Sequence, residues 1–121
     1  MIKNSSILII AEAGVNHNGS IDIAKRMIDV ASSCGADFVK FQTFKADSLL
    51  TKYAKKADYQ KRLTGKDESH YEMIKKLEID KKSHFELMNY CYSKKIKFLS
   101  TAFDLDSINL LIEMNVPLFK I

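Results

Sequence analysis

Glu12, then Lys40 with Gln42, then Ser100 with Thr101, then Lys120 each stand at the end of a short apolar run of the chain. A buried parallel strand should be an almost continuous apolar run, so a polar group at its end costs desolvation unless something pairs with it. A carboxylate, two ammonium groups, an amide and two hydroxyls at one rim could hold an anion, orient a substrate hydroxyl or, through a lysine, form a Schiff base. The plain alternative is a set of surface residues that happen to follow strands.

Side chains alternate along a strand, so Lys40 and Gln42 share a face, and Lys120 shares one with Leu118. The Gln42 amide offers both a donor and an acceptor, which suits a sugar hydroxyl or an N-acyl group. Thr101 places a hydroxyl near any phosphate held by Lys120. Beside two lysines Glu12 is expected to stay ionised and orient a hydroxyl, the alternative being a salt bridge to Lys40. Asn16 and His17 follow in the first loop, as ligand contacts or as turn residues, while His70 and His84 read as surface positions.

The elements that must position these groups repeat as strand then helix. Residues 7–12 are read as strand one. Ser20 caps a helix with Ile21, Ala24, Ile28 and Ala31 at helical spacing, and Gly35 ends it in a left-handed turn. Strand two is expected over 37–42. Residues 43–80 form a long insertion in which Tyr53–Leu63 could be helical and Ser69 with Glu72 makes a capping box for Tyr71, Ile74 and Leu77. Asp80 caps a helix carrying Phe85, Met88 and Tyr92, with Lys94 and Lys95 in its last turn. Strand three spans 96–101; Asp104 opens a helix burying Leu105, Ile108, Leu111 and Ile112. Strand four is expected at 116–121, with Pro117 at its start.

That order implies an α/β fold with a parallel sheet and right-handed crossovers. The first loop has Gly14 and Gly19 but neither the dinucleotide fingerprint nor the P-loop pattern, which disfavours an open nucleotide-binding sheet. A last strand with no helix to cover it looks like the first half, strands one to four, of a TIM (β/α)8 barrel filling residues 1–121.

Composition narrows the classes. At 121 residues, 46% hydrophobic and 28% charged, the chain suits one small globular domain without a membrane span or secretory signal, so a cytoplasmic setting is expected. Cys34 and Cys91 have no redox or disulfide-scaffold spacing and read as packing residues. The net charge of +4 is locally concentrated at Lys52, Lys55, Lys56, Lys61, Arg62 and Lys66, read as a solvated face in preference to a nucleic-acid surface.

The segments Ile10–Gly19, Ala36–Thr43 and Phe98–Asp104, extended by Val116–Ile121, resemble the sialic acid (N-acetylneuraminate) synthase family across essentially the whole chain. The resemblance implies a transferase that condenses phosphoenolpyruvate with an N-acylated hexose such as N-acetylmannosamine, giving a nine-carbon acidic sugar and phosphate. It casts Lys120 and Thr101 as phosphate contacts and Glu12, Lys40 and Gln42 as the sugar side. It further implies a divalent metal, Mn2+ or Mg2+, with ligands outside this chain, and a homodimer completed by a second barrel half and an antifreeze-like domain. The residues of the insertion resemble the branch that makes legionaminic-acid-type sugars. Rival readings are an octulosonate-phosphate synthase, a Schiff-base aldolase on Lys40 or Lys120, and an inactive fragment or binding module.

Overall fold

Three parallel strands, laid side by side in chain order, organise the computed structural model, which describes residues 7–49 and 70–121. They are β1 (Ile10–Gly14), β2 (Phe38–Thr43) and β3 (Lys97–Ala102). The helices are α1 (Ile21–Ser33), α2 (Ala46–Leu49), α3 (His70–Leu77), α4 (Lys81–Ser93) and α5 (Leu105–Glu113). None of the described helices is long and apolar enough to cross a membrane. The expected helix at Tyr53–Leu63, the cap at Ser69 and the cluster from Lys52 to Lys66 lie outside the described residues.

Three expected caps form. The Ser20, Asp80 and Asp104 side chains accept hydrogen bonds from the backbone N–H groups of Ile23, Ser83 and Ser107 at 3.3, 2.7 and 2.8 Å. Each supplies one of the donors that a helix start leaves unpaired, at about 1 kcal/mol apiece. Gly35, at φ +79°, turns the chain into β2 as expected.

One face of the sheet carries the core. Ala13, Val39, Phe41 and Phe98 pack there against Ala24 and Ile28 of α1, Leu87 and Cys91 of α4, and Leu111 of α5. Phe41 stacks on Phe98 with ring centroids 5.6 Å apart. All three long helices therefore cover the same face. The other face carries buried Phe38 and Leu99 and, toward the strand ends, Glu12, Lys40, Gln42 and Thr101, because side chains alternate along each strand.

Several expectations need correction. Strand one begins at Ile10: Ile7 and Ile9 are exposed, and the ladder starts only where β1 meets Phe38. Residues 116–121 form no strand. Pro117 lacks a ladder donor, the Val116 N–H turns back to the Leu111 carbonyl at 3.3 Å, and among the described residues only the edge of β3 is there to pair with. On α4 His84, Leu87 and Cys91 are buried; of the expected residues, Phe85 and Met88 are partly buried against the same core, while Tyr92 is 87% exposed. Lys94 and Lys95 fall just beyond that helix, where Lys94 pairs with Asp29 at 2.9 Å. On α5, Ser107 and Leu111 are buried while Leu105, Ile108 and Ile112 face outward, since α5 is apolar on two sides and the described residues cover one. Cys34 is exposed at the end of α1; Cys91 is buried, which pushes its thiol up to about 12 and leaves it unreactive.

Candidate active site

Register brings the rim together. Glu12 lies opposite Lys40 across the β1 and β2 pair, and Gln42 lies opposite Thr101 across β2 and β3. Between Glu12 and Gly14 the register of β1 slips by one residue, a bulge of the kind that re-aims a side chain at a sheet end. Gly14 sits there at φ +55°, and a Cβ on it would come within 3.3 Å of Glu12 Oε1 and 3.5 Å of Gln42 Nε2. Glycine at this point keeps both side chains in reach of the same space.

That space is a cavity of about 780 Å3 whose wall includes Glu12, Lys40, Gln42, Thr101 and Lys120, with Phe103, Phe119 and Ile108 as its apolar part. Lys40 Nζ lies 2.5 Å from Glu12 Oε2 and 3.4 Å from Thr101 Oγ1. The Lys40 side chain is 14% exposed and that of Glu12 51%, so the ammonium sits inside the mouth and the carboxylate reaches toward solvent. The salt bridge allowed by the sequence therefore forms, and it stands within the cavity. A carboxylate, a paired ammonium, a hydroxyl, an amide and a second lysine around one space can bind an anion while holding a polyol by hydrogen bonds.

Ser100 and His17 lie elsewhere, while Asn16 Nδ2 comes within 4.0 Å of the Cβ position at Gly14, on the side of Glu12 and Gln42. Ser100 points to the helix-covered face, where its hydroxyl is 2.6 Å from Thr43 Oγ1. Thr43 Oγ1 is in turn 2.9 Å from His84 Nε2, and His84 Nδ1 is 2.9 Å from the Asp80 carbonyl. The carbonyl can only accept, so His84 donates from Nδ1 and accepts from Thr43 at Nε2. The backbone N–H of Gly19 donates to His17 Nδ1 at 3.0 Å, so in the neutral ring the proton is on Nε2, which is buried without a partner among the described residues. The Asn16 amide donates to the Ala13 carbonyl at 3.1 Å and shapes the turn.

His84 is thus buried, contrary to the surface position expected for it, and its spacing from Leu87 and Cys91 was the available signal. Burial, and for His17 also the nearby His84, holds both imidazoles below their ordinary 6.5. The unfolded chain then binds more protons than the folded one below that value, so stability present above pH 6.5 is lost as pH falls. Each imidazole contributes a slope of up to about 1.4 kcal/mol per pH unit. Urea unfolding at pH 7.5 and at 5.0 should show a lower midpoint at pH 5.0, and the difference should shrink in His84→Gln, with the His17 share remaining; equal midpoints in the parent chain would contradict the assignment.

Two acids fix the surroundings of the cavity: Asp104, expected only as a helix cap, and Glu78, not singled out from sequence. Asp104 Oδ2 accepts from the Lys45 backbone N–H at 2.7 Å and so ties the segment after β2 to the start of α5. Glu78, directly after α3, accepts from Lys45 Nζ, the Ala46 N–H and Lys75 Nζ at 3.1, 3.1 and 2.9 Å. Burial opposes its charge, but those hydrogen bonds prevail and hold the carboxyl below the usual range. Among the described residues no group of three or more His, Cys, Asp or Glu side chains is placed to hold a metal ion.

The chain is 54% identical over 114 residues to the N,N'-diacetyllegionaminic acid synthase of Campylobacter jejuni, covering 94% of this chain and 34% of that protein. It is 49% identical over 119 residues to the enzyme of the same name from Legionella pneumophila, covering 98% and 33%. The chain thus spans about a third of the length of these curated relatives. The crystal structure of N-acetylneuraminic acid synthetase from Leptospira borgpetersenii, in complex with citrate, superposes with a TM-score of 0.76 at 32% identity, over 98% of this chain and 36% of that one. Residues 27–121 match the model of the NeuB family, and with the rim of β1, β2 and β3 assembled as described, the chain belongs to that family.

Proposed function

We propose that the gene product carrying this chain condenses phosphoenolpyruvate with an N-acylated hexosamine to give a nine-carbon keto acid and inorganic phosphate. The observation that carries the reading is the convergence of Glu12, Lys40, Gln42, Thr101 and Lys120 on one cavity at the strand ends. In the reaction the methylene carbon C3 of phosphoenolpyruvate forms a bond to the sugar aldehyde carbon, whose oxygen takes up a proton, and positive charge develops at the enol carbon C2. Water adds to C2 and loses a proton; the C2–oxygen bond to phosphate then breaks, and loss of the remaining hydroxyl proton leaves the keto acid and inorganic phosphate. Lys120 and Thr101 hold the phosphate; Lys40, fixed between Glu12 and Thr101, supplies positive charge beside the reacting groups; Glu12 and Gln42 orient the sugar. Fixed charges aimed where charge develops need no reorganisation during the reaction.

Three long helices on one face of a sheet in the order β1, β2, β3, with polar strand ends on the other, support the TIM-barrel reading, since an open doubly wound sheet has helices on both faces. Apolar residues left uncovered at both edges, Ile10 and Val30 on one side and Ile108 and Ile112 on the other, fit a sheet continued by further units. A divalent ion belonging to the reaction would take its ligands elsewhere, where it would polarise the aldehyde or a water. A homodimer and a cytoplasmic setting accompany the family resemblance.

The names of the two relatives above favour 2,4-diacetamido-2,4,6-trideoxymannose over N-acetylmannosamine as the sugar. Phosphate release from phosphoenolpyruvate by the complete gene product with Mn2+ should depend on one of these sugars. Release without sugar, or none with either, would contradict the reading.

A further inference from the structure

Beside the polar cavity lies a second, smaller cleft of about 180 Å3. Gln42 and Phe103 form part of the wall of both, so the two spaces are neighbours sharing one amide and one ring. Apart from Gln42 the small cleft is apolar: Val15 comes from the loop after β1, Phe44 from directly after β2, Leu49 from α2, and Ile74 and Leu77 from α3. Phe44 and Phe103 meet edge to face, with centroids 6.5 Å apart.

The lid side of the cleft is braced. Tyr71 donates to Asp47 Oδ1 at 2.6 Å, joining α3 to α2, and the Glu78 carboxylate clamps the end of α3 to the start of α2. Ile74 and Leu77 are therefore held above Gln42 by polar ties on either side of them. At about 180 Å3 the cleft is much the smaller of the two spaces and has room for a methyl group.

We infer that this cleft receives the acyl methyl group of the amino sugar, with the Gln42 amide at its entrance bonding the acyl amide and the sugar hydroxyls remaining in the polar cavity. The inference rests on the amino-sugar reading above and extends it by naming Ile74 and Leu77 as specificity-determining residues. An apolar wall rewards a methyl group and leaves a hydroxyl in the same place unpaired, whereas the amide at the entrance satisfies the polar atoms that precede the methyl.

The test compares N-acetyl with N-formyl hexosamine, which differ by that methyl group, in the complete gene product. The parent protein is expected to favour the N-acetyl sugar in kcat/KM by about 10- to 200-fold, the range for one such group in an apolar pocket. Leu77→Phe, which fills the cleft, should bring the ratio near one or reverse it while the KM for phosphoenolpyruvate stays unchanged. Equal use of both sugars by the parent, or an intact preference in Leu77→Phe, overturns the inference. If neither sugar supports phosphate release the reaction assignment fails separately. Saturation-transfer NMR with N-acetylmannosamine then decides the cleft alone: strong saturation of the acetyl methyl, lost in Leu77→Phe, supports it, and a methyl signal no stronger than the ring protons overturns it.

Discussion

Replacing Lys40 by methionine is expected to lower sugar-dependent phosphate release about 10^2- to 10^3-fold, the loss typical of removing one preorganised charge or donor from a catalytic site. Methionine keeps an unbranched, flexible stem in the same place, so the packing beneath the ammonium survives. What disappears is the charge 2.5 Å from Glu12 Oε2 and the donor 3.4 Å from Thr101 Oγ1. Glu12 is half exposed, so its carboxylate can turn to water when its partner is lost and the fold should be little affected. Steady-state kinetics with a thermal melt in parallel would separate the two effects. Release within threefold of the parent rate would place Lys40 outside the chemistry.

Gly19→Ala is expected to have the largest effect on stability among single-atom additions to the first loop. Gly19 stands at φ +78°, where an L side chain is strained, and a Cβ there would lie 2.2 Å from the Lys76 carbonyl oxygen, a backbone atom that cannot swing aside. Left-handed strain and an overpacked contact together amount to about 2–5 kcal/mol. Relief requires either the loop or α3 to move, and both border the site: the loop through Val15, and α3 through Ile74 and Leu77. The variant should therefore show a lower unfolding midpoint and, below it, a raised KM for the sugar. An unchanged midpoint would mean that the loop and α3 do not meet as described.

How much of this was legible beforehand depended on what each residue type can signal. Caps announce themselves locally, and Ser20, Asp80 and Asp104 were readable because their side chains bond backbone three residues ahead. The inward face was readable too, since alternation alone puts Lys40 and Gln42 on one side, and Thr101 followed as the end of the next strand. The face of a helix is harder when apolar residues surround it. On α4, Phe85, Met88 and Tyr92 compete with His84, Leu87 and Cys91, and the stripe that won contains a histidine whose partners, Thr43 and the Asp80 carbonyl, are known only from the fold. Ser100 ended a strand like the others, but neighbours on a strand point to opposite faces, so it and Thr101 could not both reach the cavity. Glu78 and Asp104 were invisible as clamps because their acceptors bond backbone and side chains 32 to 59 positions away.

The central claim, that the cavity at the strand ends seats a phosphorylated enol acid, is tested most directly by calorimetric titration of phosphoenolpyruvate into the complete gene product and its Lys120→Ala variant. A charge-assisted hydrogen bond contributes about 1.5–3 kcal/mol. The Kd should therefore rise by roughly 10- to 150-fold in Lys120→Ala. Lys81→Ala, on the outer surface and paired with Glu113, should bind as the parent does. Equal affinity in the parent and Lys120→Ala would contradict the account and move the phosphate site away from this rim.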